Sequence, residues 1–228
     1  MRTAAILPVK SFARAKQRLG ATVADPMRQE LAAAMVADVI AALSQTSAIE
    51  LTIVVTRERG IAQAALAAGA LIVEDAGEEG QSAAAHLGIL RAVGEGFDRV
   101  LCVPGDCPAA DPEELGELLD GHALAGPELV IVPDRHGTGT NGLLLHPPTA
   151  IEPSFGPGSC ARHLELAAAA GVPARVEQVP SLLLDIDTGA DLAVLRGRLA
   201  DQGGRAPSTR AVLSGPDFAD ALASSSLA

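Results

Sequence analysis

The chain contains no tryptophan and no tyrosine, and four phenylalanines among 228 residues bring its aromatic share to 2%. Platforms on which a nucleobase could stack are scarce, and a hydrophobic share of 48% must pack its core from Ala, Val, Leu and Ile. Basic residues are also few: 17 Lys and Arg stand against 28 Asp and Glu, a net charge of −11 with a pI near 4.8. Without a global basic field, nucleic acid and anionic membrane are excluded as partners, and any anionic substrate must meet a local basic patch. Cys102, Cys107 and Cys160 form no CxxC pair, and the N-terminus lacks the charged and long apolar regions of a signal peptide. A reducing cytoplasm is the expected location. No long apolar run offers a membrane span, because the Ala-rich stretch 31–43 is interrupted by Asp38 and has helical periodicity.

What is present alternates. Residues 3–7, 51–56, 71–73 and 100–103 are short apolar runs of the buried parallel-strand kind, separated by helical patterns over 26–43, 61–68 and 83–93. Asp25-Pro26 and Asp111-Pro112-Glu113-Glu114 are helix starts with aspartate as N-cap and proline in the first turn, the second with a capping-box glutamate. This length and rhythm predict one α/β domain over 1–200, followed by a loosely held tail over 201–228 that has few apolar anchors.

From residue 129 the rhythm changes. Asp134-Arg135-His136-Gly137-Thr138-Gly139-Thr140-Asn141-Gly142 contains G-x-G-x-x-G, yet the apolar run 143–145 and then Pro147-Pro148 follow it where a dinucleotide fingerprint needs a helix. The glycines therefore join two strands. Such a loop lets a ligand approach the backbone and offers hydroxyls and N–H groups to an anion, with an ordinary flexible hairpin as the alternative.

Four further signals carry chemistry. Lys10, Arg14, Lys16 and Arg18 follow the first strand within a stretch, 1–19, that holds no acid. Clustered cations at the carboxyl end of a parallel strand suit a polyphosphate, although a solvated basic loop is the alternative. Gly105-Asp106-Cys107-Pro108 sets a carboxylate at the tip of a buried strand, where it can hold Mg²⁺ or merely stabilise a turn. In Asp185-Ile186-Asp187-Thr188, an extended chain turns both carboxylates to one side, with Thr188 capping the following helix. The alternative is that one aspartate is itself the cap. Phe155-Gly156-Pro157-Gly158-Ser159-Cys160-Ala161-Arg162-His163 reads as an anion-binding nest at a helix start, or as a plain loop-to-helix junction, with Arg162 and His163 either assisting or lying on the surface. Together these parts are those of phosphoryl or nucleotidyl transfer.

The order Leu7-Pro8-Val9-Lys10 with Ala15-Lys16-Gln17-Arg18-Leu19, then the motifs at Asp106, Asp134, Phe155 and Asp185, resembles the guanylyltransferases of coenzyme F420 biosynthesis over about residues 3–196. The resemblance implies a Rossmann-like, GT-A-type nucleotidyltransferase: a three-layer α/β sandwich with a mostly parallel sheet, shared with molybdenum-cofactor guanylyltransferases. It implies transfer of GMP from GTP, with release of pyrophosphate, to 2-phospho-L-lactate, phosphoenolpyruvate or 3-phospho-D-glycerate. Carried over residue by residue, Asp106, Asp185 and Asp187 would bind Mg²⁺, and Lys10, Lys16 and Arg18 would contact the GTP phosphates. Thr140, Gly156 and Ser159 would hold the acid. A downstream transferase of the F420 pathway would be a partner, and a homodimer is compatible with the family. Two departures stand out. Cys107 replaces a leucine common in relatives, and Gln81-Ser82 replaces Leu-Asn, which leaves base recognition unassigned. Cys107 and His146 add polarity and tilt the expected acid toward 3-phospho-D-glycerate. A nucleotidyltransferase for another phosphorylated substrate and a non-catalytic nucleotide sensor are the competing readings, the latter disfavoured by the joint presence of Asp106, Asp185 and Asp187.

Overall fold

A computed structural model describes residues 1–12, 19, 25–121, 126–201, 204–215 and 218. Apolar runs and amphipathic segments alternate along it: β1 (Thr3–Val9), α1 (Asp25–Gln45), β2 (Leu51–Thr56), α2 (Arg59–Ala67), β3 (Leu71–Val73), α3 (Gln81–Gly94), β4 (Arg99–Cys102) and α4 (Pro112–Asp120). There follow β5 (Glu128–Pro133), β6 (Thr140–His146), α5 (Ser159–Ala170), β7 (Ala174–Val176), a 3₁₀ turn at Pro180–Leu182, α6 (Gly189–Asp201) and α7 (Pro207–Leu213).

The described strands form one seven-stranded sheet in the order β3-β2-β1-β4-β6-β5-β7. Pairing is parallel except where β6 meets β4 and β5. The strands are apolar on both faces because helices cover both. Ala5, Leu7 and Val9 of β1 enter the core beneath α1, α2 and α4, whereas Ala4 and Ile6 face the opposite core with α3. This is a three-layer α/β sandwich, as expected. Leu184 and Ile186 join α1, α6 and α7 in a third apolar cluster on the outer side of α1. Among the described residues no helix is long and apolar enough to cross a membrane.

Because β6 runs against its neighbours, its first residues lie at the sheet edge where β1, β4 and β5 end. The glycine-containing loop 134–139 is thus the turn of the β5–β6 hairpin. Val132 pairs with Gly142 but Pro133 with Thr140, so Asn141 is an extra residue on β6, a β-bulge. The bulge reverses the side-chain alternation. Asn141 and Gly142 both meet Leu182 on one face, while Thr140 reaches α5 on the other.

The cap of α4 forms as the sequence predicts, with Asp111 Oδ1 accepting from the amides of Glu113 (2.9 Å) and Glu114 (3.1 Å). The capping-box bond from Glu114 does not form. The Asp111 amide donates to Ser181 Oγ (3.1 Å) and Glu114 Oε2 accepts from the Ser181 amide (2.7 Å), so this corner latches the 3₁₀ turn. Within the segment expected to be a loose tail, the described part is packed. Asp38 of α1 accepts from the Ser208 (2.9 Å) and Thr209 (2.7 Å) amides, and Leu213 and Phe218 are buried. The buried Asp38 that interrupts the α1 pattern is therefore a cap for a helix about 170 positions away, a tertiary pairing with no local signature.

Gly88 marks the closest approach of α3 to the sheet. A Cβ there would stand 2.4 Å from Ile6 Cγ2 and 3.1 Å from Val55 Cγ2, both on stiff, β-branched strand residues. Gly88→Ala gains up to about 1 kcal/mol in helix propensity but incurs about 1–3 kcal/mol of overpacking. Denaturant unfolding should show a net loss of about 1–2 kcal/mol, and a more stable variant would contradict this packing.

Candidate active site

An open cleft of about 200 Å³ lies at the carboxyl edge of the sheet. Lys10 from the end of β1 and Asp106 from the turn after β4 line it, with Asp187 from the segment before α6 and Gln81 from the start of α3. Phe12 and Met35 contribute apolar wall. Gly105 is needed beside Asp106, since a Cβ there would come within 2.9 Å of Val36 Cγ2. Lys16 and Arg18, expected beside Lys10, lie outside the described residues.

Backbone pairing draws the aspartates together. The Ile186 amide donates to the Asp106 carbonyl (3.1 Å), locking the Asp185 segment onto the β4 turn. That segment is not a ladder strand, but its alternation is that of an extended chain: Leu184 and Ile186 are fully buried while Asp185 and Asp187 face the other way, half-buried. Burial raises the pKa of Asp185, the Asp106 carboxylate raises it further, the Asn141 bond opposes the rise, and Asp187 adds to it. Asn141 Nδ2 donates to the Leu182 carbonyl (2.8 Å) and to Asp185 Oδ1 (3.3 Å).

Asp185 and Asp187 are not used as helix caps. Thr188 Oγ1 accepts from the Asp191 amide (3.3 Å), and Asp191 Oδ2 accepts from the amides of Thr188 (2.7 Å) and Asp187 (3.1 Å). This is a Thr-x-x-Asp capping box: Thr188 caps α6 as expected from the sequence, and Asp191 adds the reciprocal bond. Its effect is to leave the two carboxylates before the helix turned toward other partners. Arg135 pairs with the other Asp191 oxygen at 2.5 Å and so ties the hairpin turn to α6.

Among the described residues no three His, Cys, Asp or Glu side chains gather closely enough to hold a metal ion by themselves. Mg²⁺ needs fewer, since it commonly takes one or two protein carboxylates and completes its shell with phosphate and water. Asp106 and Asp187 on one cleft, with Asp185 electrostatically coupled to both, are the hard oxygen donors that such an ion requires.

Of the residues expected to hold the acid, Thr140 and Ser159 lie together in a separate, buried cluster. Thr140 Oγ1 lies 3.1 Å from His163 Nδ1 and 3.0 Å from Ser159 Oγ, and His163 Nε2 accepts from the Ser154 amide at 2.9 Å. Gly156 is exposed in the loop before α5 with φ 108°, a conformation few other residues adopt. Arg162 wraps this loop, bonding Ser154 Oγ and the carbonyls of Ser154, Phe155 and Pro157, while Ser82 Oγ accepts from the Phe155 amide. Arg162 and His163 therefore staple the loop. Asp134 orders the hairpin turn, accepting from His136 N (3.1 Å) and Thr138 N (2.8 Å). Burial alone would raise its pKa, but those backbone donors outweigh burial and lower it.

Neither residue behind the tilt toward 3-phospho-D-glycerate faces the cleft. Cys107 is fully buried with Sγ 3.7 Å from the Leu182 carbonyl, and His146 bonds the Asp98 carbonyl at the opposite edge of the sheet, because β6 runs backwards.

A model of the family "Guanylyl transferase CofC like" matches residues 3–198. A phosphoenolpyruvate guanylyltransferase of Conexibacter woesei is 45% identical over 93% of this chain and 96% of its own. A 2-phospho-L-lactate guanylyltransferase of Methanothermobacter thermautotrophicus is 33% identical, covering 84% of this chain and 83% of its own. The solved structure of a nucleotidyl transferase from the same species superposes with a TM-score of 0.64 at 21% identity, covering 89% of this chain and 99% of that one, which shows a shared fold.

His163 is fully buried, and burial lowers its pKa to about 4, with the nearby Arg162 charge lowering it further. A depressed folded-state pKa makes the neutral ring's stability complete above an unfolded value near 6.5 and erodes it as pH falls toward 4. By linkage the loss reaches about 2 kcal/mol at pH 5. His163→Gln should remove this component, so urea unfolding at pH 7 and pH 5 should differ less in the variant by about that amount. An equal pH dependence in both proteins would show that His163 titrates normally.

Proposed function

Since the chain belongs to the CofC-like guanylyl transferase family, we propose that it transfers GMP from GTP to phosphoenolpyruvate in coenzyme F420 biosynthesis. The carrying observation is the cleft at the carboxyl edge of the sheet, with Lys10 and the Asp106–Asp187 pair on its walls. Phosphoenolpyruvate is chosen because it is the acid named for the 45% identical relative, with 2-phospho-L-lactate, named for the 33% identical one, as the nearest competitor. The tilt toward 3-phospho-D-glycerate loses its ground with the positions of Cys107 and His146.

In this reading Lys10 neutralises the GTP triphosphate, with Lys16 and Arg18 assigned to the same task. Asp106 and Asp187 would hold Mg²⁺, with Asp185 adding negative charge beside them, and the ion would screen the phosphate charges and favour departure of pyrophosphate. Thr140, Gly156 and Ser159 hold the carboxylate end of the acid, leaving its phosphate directed at GTP. An oxygen of that phosphate attacks the α-phosphorus. One P–O bond forms, the bond from the α-phosphorus to the bridging oxygen breaks, and the electron pair leaves with pyrophosphate. The nucleophile is already anionic at neutral pH, so no general base is required and rate enhancement comes from alignment and charge neutralisation.

Mass spectrometry of products from GTP, Mg²⁺ and an equimolar mixture of the three acids should give chiefly the guanylylated phosphoenolpyruvate. Dominance of the 3-phospho-D-glycerate product would reject the acid assignment, and the absence of any guanylylated acid would reject the activity. Asp106→Asn and Asp187→Asn should each lower turnover at least about a hundredfold, about 2.7 kcal/mol of transition-state stabilisation, without a comparable change in unfolding. Wild-type rates at limiting Mg²⁺ would remove that residue from the metal site.

A further inference from the structure

His163 is a buried ring whose two nitrogens do different work. The Ser154 amide can only donate, so Nε2, 2.9 Å away, must be the acceptor. Burial keeps the imidazole neutral, and a neutral ring then carries its one hydrogen on Nδ1, which faces Thr140 Oγ1 at 3.1 Å. Thr140 Oγ1 also touches Ser159 Oγ at 3.0 Å. The cluster therefore contains three hydrogens, one each from Nδ1, Thr140 and Ser159, but two internal contacts to consume them.

One hydroxyl hydrogen is left over, whichever way the Thr140–Ser159 bond points. The other tautomer would consume both hydroxyl hydrogens inside the cluster and would set Nε2–H against the Ser154 N–H. With Nδ1–H on one lone pair, the Thr140 hydroxyl is also barred from turning its hydrogen toward the imidazole ring. We propose that His163 is a positioning residue for substrate: its Nδ1–H fixes the Thr140–Ser159 hydroxyl pair so that the surplus hydrogen is offered to an anionic oxygen of the phosphorylated acid.

The proposal rests on the reading that Thr140 and Ser159 hold the acid. The ring is further held edge-on to Phe155 at 5.3 Å between centroids, inside the loop that Arg162 wraps. His163 thus connects the loop backbone at Ser154 to the hydroxyl pair, and the loop's closure selects the tautomer the pair requires. Arg162, its sequence neighbour, donates to the same loop and cannot substitute, because its bonds go to Ser154, Phe155 and Pro157.

Two variants separate the two nitrogens. His163→Asn sets an amide N–H where Nδ1 stands and loses the acceptor for Ser154, whereas His163→Gln can accept from Ser154 and offers nothing to Thr140. Both lose the ring, so a purely structural role would move both alike. In steady-state assays with GTP, Mg²⁺ and phosphoenolpyruvate, His163→Gln should raise the KM for the acid about tenfold. His163→Asn should stay within about threefold of wild type, and the KM for GTP and the kcat should hold in both. Equal rises in the two variants, or a fall in kcat with an unmoved acid KM, would overturn the proposal. Thr140→Val in the same assay isolates the underlying reading. An unchanged acid KM there removes the hydroxyl pair from the acid site and the proposal with it, while a raised one alongside a silent His163→Gln defeats the positioning role alone. Independently of any variant, ¹⁵N resonances of histidine-labelled wild-type protein should show the Nδ1–H tautomer for His163, and an Nε2–H ring would refute the mechanism.

Discussion

Like-charged carboxylates repel, and the cleft exists because the hydrogen bond between the Ile186 amide and the Asp106 carbonyl, with the burial around it, holds them together. Two unit charges about 4 Å apart repel by about 1 kcal/mol in water and about 4 kcal/mol near a protein surface. Against this, one backbone hydrogen bond contributes about 1 kcal/mol net. Full burial of Leu184 and Ile186, on either side of Asp185, contributes about 1.5–3 kcal/mol each. Burial of Leu184 and Ile186 thus works against the repulsion among Asp106, Asp185 and Asp187. Burial first, and the Asp106 and Asp187 charges after it, raise the pKa of Asp185, a penalty that a bound cation would relieve.

The second constraint is topological. A single reversed strand, β6, puts an amino end among carboxyl ends, and its bulge turns Asn141 to the same face as Gly142 while Thr140 keeps the other. Asn141 goes to the carboxylate side, where it bonds Leu182 and Asp185. Thr140 goes to α5, where it meets His163 and Ser159. Two chemically opposite half-sites, one rich in acceptors and one rich in donors, are therefore spaced by one residue of backbone. In the proposed reading, that spacing suits a small bifunctional acid with a phosphate at one end and a carboxylate at the other.

Rigidity at this edge comes from linked caps and not from a thick core. Asp191 caps α6 and receives Arg135 from the hairpin turn, and Asp134 gathers the amides of that turn. Ser181 and Glu114 then join the 3₁₀ turn to α4. Apart from the Arg135–Asp191 ion pair, each link is a charge or a hydroxyl on an otherwise unsatisfied backbone donor, the kind of bond that loses most when one partner is removed. In a chain with so few aromatic anchors, such links position loops that bulky side chains would otherwise hold.

The sequence by itself determined the alternation of strands and helices, the hairpin nature of the glycine motif, and the family, because these depend on local periodicity, proline placement and the order of short motifs. It also determined that Asp185 and Asp187 share a side, since an extended chain alternates whether or not it joins a ladder. Only the tertiary structure decided that Asp38 caps α7, that Asn141 is a bulge residue facing Asp185, and that Ser154 dictates the tautomer of His163. Those pairings bring together residues between 9 and 171 positions apart, and nothing in either partner's neighbourhood encodes the other. It likewise decided that His146 stands at the far edge and Cys107 in the core, because strand direction and the depth of a turn are properties of the assembled sheet.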